Sequence, residues 1–235
     1  VSLEIGRIDH DGLGFGPLGG QTFLHPAEHA HLAPPLPAIV QGLVGAVFPG
    51  SVLPTQAVPV DNTLDRQFDV AAPNRAWVTD ITYIRTLEGF AYLAVVIDLY
   101  SRRVVGWSIQ SRQTTDVMLQ ALHMAVWRRK PKQRVLIHSA QFPSMDWAAF
   151  IQAHNLEHSM SRRGNGHDNA VAESFFSSLK REHIRRRTYK TREEARQDVF
   201  DYVEMFYNSV REQVRNGMLS LVQFERQQIL KAQGV

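Results

Sequence analysis

The chain has 235 residues and no cysteine, so neither a disulfide framework nor a thiolate metal centre is open to it, and a reducing cytoplasm suits it. It also lacks a long apolar run. The longest, Ala38 to Phe48, is interrupted by Gln41 and two glycines and is too short to cross a bilayer. No charged stretch followed by an apolar one stands at the start, and the expectation is a protein that is not secreted. Charge is scarce at the front: residues 1–60 hold one basic residue, Arg7, against four acids. The other 25 basic residues face 19 acids, so the remainder carries +6 by itself although the whole chain is only +3. Nine of those basic residues fall between Arg162 and Arg192, a density that suits a polyanion-binding face.

Composition changes near residue 60. The first 60 residues hold nine of the 15 glycines and eight of the 11 prolines. Stretches such as Gly12 to Gly20 and Ala33 to Pro37 leave no room for long helices, and an irregular arm is expected there. The glycine run has no preceding strand, no lysine and no following helix, so it does not read as a phosphate-binding loop. His25, His29 and His31 lack a firm helix and a fourth ligand, and read as loop histidines. With 44% apolar residues, the rest is rich enough for a real core.

From Asp61 the pattern is that of a folded domain. Strands are expected at Trp77 to Ile84, Phe90 to Tyr100, Val104 to Gln110, Arg134 to Ser139 and Leu156 to Ser161, with a first turn at Glu88-Gly89. The helical period over Thr115 to Trp127 (Met118, Leu119, Leu122, Val126) predicts a helix, and Trp147, Phe150 and Ile151 mark another that Ser144 could cap. Thr191 with Glu194 and Ser220 with Gln223 are capping boxes opening two more; the first has a core stripe of Ala195, Val199, Tyr202, Val203 and Phe206. This order predicts an α/β fold with a mixed sheet of five strands and helices on its faces.

Two carboxylates stand out. Asp80 lies in the middle of a strand, WVTDITYI, and Glu173 lies on a helix with Asn169, Ser177 and Lys180 along the same stripe. Carboxylates converging from separate elements are what phosphoryl transfer by two hard cations requires, the metals standing roughly 3.5–4 Å apart. Spacing alone does not single this pair out from 23 acids, and Asp80 could equally serve a turn or cap.

The strings around them are more specific. WVTDITYI, Tyr92 to Trp107, IHS (Ile137 to Ser139), Ser159 to Glu182 and Phe200 to Asn208 resemble, in consistent order from about Asp61 to Glu225, the integrase-type catalytic subunit of two-frame bacterial insertion-sequence transposases. The resemblance implies an RNase H-like, retroviral-integrase-like core, an Asp, Asp, Glu triad and Mg²⁺ (or Mn²⁺). By position Asp80 matches the first aspartate, Glu173 the glutamate and Lys180 the basic residue two turns later. DNA contacts are expected from Arg162, Arg163, His167, Asn169, Lys180, Arg181, Arg185, Arg186 and Arg187. Expected boundaries are an arm over 1–60, a linker over 61–76, the catalytic core over 77–187 and a helical tail over 188–235. The implied partners are double-stranded DNA at the element's ends and target, a helix-turn-helix subunit, and further copies of the chain on DNA. The implied location is the bacterial cytoplasm, at the nucleoid.

The sequence departs from that pattern at one decisive point. The family's second aspartate follows IHS directly, in Asp-Gln-Gly-Ser-Gln-Phe, whereas this chain reads Ala140-Gln141-Phe142. The aspartate is replaced and three residues are absent; restoring them brings the interval to Glu173 back to the family's spacing. Asp146 suits the first turn of the next helix and Asp98 a structural strand, so neither is the replacement. A histidine of the family's tail is Gln213 here, and its Ser-Pro helix start is Ser220-Leu221. The two remaining carboxylates should repel each other and bind protons more tightly. Three readings stay open: an active transposase subunit, a DNA- or subunit-binding remnant without chemistry, and a decayed reading frame, with loss of activity expected.

Overall fold

In a computed structural model of the chain, residues 60–140, 144–162 and 166–234 are described. The arm expected over 1–60 and its three histidines therefore lie outside the described residues, apart from Val60, as do Gln141, Phe142 and Arg163.

Five strands make one sheet: β1 (Ala76–Thr86), β2 (Gly89–Asp98), β3 (Val104–Gln110), β4 (Val135–Ser139) and β5 (Leu156–Met160), in the spatial order β3-β2-β1-β4-β5. β1 to β3 form an antiparallel meander, and β4 and β5 add in parallel to the other edge of β1. The first turn falls at Leu87-Glu88, one residue earlier than expected, because Gly89 already pairs with Thr86 and adopts φ +108°. Two helices, α1 (Thr115–Arg129) and α2 (Met145–Ala153), lie on one face; α3 (Ala170–Glu182) and α4 (Arg192–Phe200) lie on the other. The chain continues through a π-helical segment (Asp201–Tyr207), a small ribbon of β6 (Glu212–Gln213) and β7 (Leu219–Ser220), and α5 (Leu221–Ala232). No helix among the described residues is long and apolar enough to cross a membrane.

The alternation of β1 decides what each face receives. Ala76, Val78 and Ile84 enter the cluster beneath α3 and α4, with Leu93, Val95 and Ile97 of β2 beside them. Trp77 enters the other cluster with Val96, Met118, Leu122, Ile137 and Trp147. Asp80, of even number, shares the α3 face. β2 is apolar on both faces because helices cover both. Gly106 of β3 lets α1 approach closely: a Cβ there would lie 2.1 Å from the Ala121 carbonyl oxygen.

Local signals set the helix ends. Ser144 accepts from the Trp147 N–H at 3.1 Å, and Thr191 accepts from Glu194 N–H. Ser220 and Gln223 form a complete reciprocal capping box, which holds the start of α5 without the family's proline. The expected stripe after Thr191 needs one correction. Ala195, Val199, Tyr202 and Val203 are buried, but Phe206 is 39% exposed and Tyr207 takes its place at 6%. The cause is the π-turn, in which Asn208 N–H reaches back five residues to the Val203 carbonyl and rotates the following face by one residue.

The stretches on either side of residue 187 share a single cluster, from Val78 and Phe175 through Val199 and Tyr202 to Leu221. Leu64, from the stretch expected as a linker, is also in it. A buried ion network ties α5 to the sheet: Arg129 donates to Asp98 and Glu225 at 2.8 Å each and to Asn74, while Ser101 and Arg103 also donate to Glu225. Asp98 accepts from the Asn74 and Tyr100 N–H groups as well, which accords with its structural reading.

Candidate nucleic-acid and metal site

The site forms where β1 runs past the end of β4. The parallel register ends on the pair Thr79 and Ser139, so Asp80 and Ala140 each stand one residue beyond the last pair, at the mouth of the sheet. Across this mouth lies the N-terminal end of α3, with Glu173 in its first turn.

Asp80 accepts a hydrogen bond from Ile81 N–H at 2.8 Å. Burial pushes its carboxyl up to about 6, and repulsion from Glu173 adds to the rise; the Ile81 N–H, the Asn169 amide and the Lys180 charge oppose it. The expected repulsion is therefore present, but desolvation is the larger cause. Glu173 itself is exposed.

Asn169 stands at the N-cap of α3 without capping it, because its amide is turned toward the sheet. Its Nδ2 donates to the Thr79 carbonyl at 3.3 Å, and its Oδ1 is buried with no partner. Lys180 lies two turns beyond Glu173. Burial and the Arg185 charge lower its pKa while Asp80 raises it, and its Nζ sits 5.3 Å from the centre of the Tyr83 ring. The stripe Asn169, Glu173, Lys180 thus faces Asp80 as a group.

Oxygen donors from Asp80 and Glu173, with the unpartnered Asn169 Oδ1 nearby, suit one hard divalent cation that keeps most of its waters. They do not suit a pair of cations. Among the described residues no group of three or more His, Cys, Asp or Glu converges, Ala140 offers a methyl, and Gln141-Phe142-Pro143 bring no carboxylate. Asp146 lies in the first turn of α2 and Asp98 is held in its buried network.

The basic residues divide into two sets. Arg162 is engaged by Asp168, with Nε at 2.9 Å and Nη2 at 2.8 Å, and Asp168 also accepts from Arg66 and Asn62. Asp168 is fully buried, and the Arg162 guanidinium holds its carboxyl well below the usual carboxylate range. Arg187 is paired with Asp198, which also accepts from Tyr189 and contacts His183. His167 is exposed just before α3, and Arg181, Arg185 and Arg186 are exposed at its far end or just beyond it, Arg181 with only an exposed 3.7 Å contact to Glu182. Arg162 and Arg187 are thus bound in structural pairs that sequence spacing did not reveal.

Sequence reasoning also missed Asn62, Arg66 and Asp168. Asp168 belongs to the GNGHDNA string, yet its partners lie 102 and 106 residues away. His138, of the IHS string, is fully buried between Ser159 and Ser161 at 2.9 Å each, and burial lowers it to about 4, so it is neutral at pH 7.

The fold is of the RNase H-like, integrase class, and comparison with known proteins gives the family. A family model for the integrase core domain matches residues 70–166, and a second integrase core domain model matches residues 173–229. Together they take in more than half of the chain, which belongs to the integrase core family. Over 172 residues it is 46% identical to Transposase InsF for insertion sequence IS3fB of Escherichia coli (strain K12), covering 72% of this chain and 60% of that protein. It is 39% identical over 153 residues to the transposase for insertion sequence element IS904 of Lactococcus lactis subsp. lactis (strain IL1403), covering 64% and 60%. The chain thus spans 60% of the length of these curated relatives.

Among solved structures, a chain of the simian T-cell lymphotropic virus intasome in complex with PP2A regulatory subunit B56 gamma superposes with a TM-score of 0.56 at 15% identity, covering 74% of this chain and 60% of that one. The HTLV-2 integrase catalytic core domain in complex with magnesium, trimeric form, gives 0.50 at 15% identity, covering 66% and 97%. Both show the shared RNase H-like, integrase fold.

Proposed function

We propose that this chain is the catalytic-core subunit of an insertion-sequence transposase that still holds DNA but has lost strand cleavage and transfer. One observation supports this reading above the others: Ala140 stands one residue beyond the Thr79–Ser139 pair, as Asp80 does, where the resemblance calls for a second aspartate. A methyl group supplies no ligand. Asp80 and Glu173 are then left to hold one hydrated Mg²⁺ or Mn²⁺ weakly, whereas in-line displacement at a phosphodiester uses a paired-metal clamp on the attacking and leaving oxygens.

DNA contact in this reading rests on other side chains: Lys180, Arg181, Arg185 and Arg186, with His167, Asn169 and Arg163, and smaller shares from the already paired Arg162 and Arg187. Residues 77–187 act as the core and 188–235 as a helical tail packed onto it. The partners are double-stranded DNA at the element's ends and target, a helix-turn-helix subunit of the same element, and further copies of the chain assembled on DNA.

The test is strand transfer on terminal-repeat DNA with Mg²⁺ or Mn²⁺, run beside DNA binding at several salt concentrations. The parent chain should bind DNA with a log–log salt slope of about −0.9 per phosphate neutralised, and should neither cut nor join. Ala140→Asp alone should recover little, because the loop stays short; Ala140→Asp with the three missing residues restored should recover more. Robust strand transfer by the parent chain would refute the loss of chemistry, and salt-independent binding would refute the phosphate contacts.

A further inference from the structure

β1 does not end at the cleft. Beyond Thr79 it has no β4 neighbour, and it continues through Thr86 as one arm of a hairpin with β2. The register pairs Tyr83 with Tyr92 and Arg85 with Phe90, which puts three aromatic rings and one guanidinium on a single face of the hairpin. α1 and α2 cover this face further back, over Trp77 and Val96, but not here. Tyr83 is 58% and Phe90 46% exposed. The Tyr83 and Phe90 rings meet edge-on at 5.2 Å, and Phe90 and Tyr92 follow at 6.4 Å.

A cross-strand aromatic pair stabilises a hairpin, and that would account for two rings in contact. It does not account for the cations around them. Lys180 reaches from α3 around the open edge of β1 to lie 5.3 Å over Tyr83 while also interacting with the Asp80 charge. Arg85 is exposed on the aromatic face, and Arg192 binds the backbone carbonyls of Phe90 and Glu88. Glu88 is the acid nearby, and Arg192 is its partner. Open rings set beside Lys180, Arg85 and Arg192 suit a ligand with flat π-faces and a polyanionic backbone. Tyr83 lies three residues from Asp80, about 10 Å along the strand, or one to two nucleotides.

We infer that the Tyr83–Phe90–Tyr92 face is a stacking platform for unpaired nucleotides at a DNA end, with Lys180 and Arg85 holding the adjoining phosphates. This deepens the DNA-holding reading above and rests on it. Base stacking on an aromatic ring tolerates any sequence and, by alanine substitution, changes affinity about 5- to 150-fold per ring.

The test uses the full chain and two labelled probes, a blunt duplex and the same duplex with a single-stranded thymidine tail, read by fluorescence polarisation. The tailed probe should bind about tenfold more tightly. That preference should vanish in Tyr83→Ala and Phe90→Ala while blunt-duplex affinity stays as in the parent, and should persist in Tyr83→Phe. Urea melts of each variant identify any that fail to fold, and Tyr83→Phe, which keeps the ring, carries the comparison if an alanine variant does. The platform is overturned if the parent has no tail preference, or if the alanine variants keep it. It is equally overturned if they lose both probes alike, or change only the sedimentation of the chain, the mark of an interface between copies. Failure of the parent to bind either probe would instead overturn the DNA-holding reading on which the platform rests.

Discussion

Replacing Asp80 with asparagine should make the protein more stable at neutral pH, although it removes a residue at the centre of the cleft. The carboxyl of Asp80 rises from 3.8 to about 6 in the fold, chiefly through burial and then through Glu173. A raised pKa means that the folded state prefers the protonated form, so Asp80's contribution to stability is complete below pH 3.8 and lost as pH rises through about 6. Each unit is worth about 1.4 kcal/mol, giving about 3 kcal/mol as an upper figure, since partial exposure allows solvent to screen the charge. Asparagine is always neutral, and its Oδ1 can still accept from the Ile81 N–H. Asp80→Asn should therefore match the parent near pH 4 and exceed it by up to about 3 kcal/mol at pH 7.5, with the difference opening between. Other titrating groups are common to both chains and cancel in the difference. Urea denaturation across that range measures it, and Mg²⁺ at neutral pH should stabilise the parent more than the variant. Parallel stability curves for the two proteins would show that Asp80 is not the strained carboxylate described here.

Gly106→Ala places a methyl 2.1 Å from the Ala121 carbonyl oxygen and 2.8 Å from the Ala125 nitrogen, both helix backbone, so α1 must shift. A loss of about 1–3 kcal/mol, or failure to fold, is expected in urea melts. Glu225→Ala leaves Arg129 and Arg103 without their shared carboxylate beneath α5, and the chain should lose about 3–5 kcal/mol, measured the same way. Ser220→Ala removes one half of the capping box and should cost about 1 kcal/mol, with fraying of α5 visible by amide exchange.

Local chemistry was legible in the chain by itself. Alternation marked β1 and the face on which Asp80 emerges; the helical period aligned Asn169, Glu173 and Lys180; and Ser144, Thr191 and Ser220 announced the helices they cap. These features depend on residues a few positions apart, whose geometry follows from the strand and helix repeats. Ala140 was legible too, because an alanine side chain carries no oxygen to ligate a cation in any fold. Only the tertiary structure decided which charges are free. Arg162 and Arg187 look like their exposed neighbours in the sequence, yet buried Asp168 and Asp198 claim them. The Asp98–Arg129–Glu225 network joins residues 96 positions apart, and no periodicity encodes such a distance. The exchange of Phe206 for Tyr207 at the core came from a π-turn, a one-residue adjustment settled by packing against the sheet rather than by helical propensity. The aromatic face of the hairpin likewise became visible only once strand register put Tyr83 beside Tyr92 and helix α3 put Lys180 over the ring.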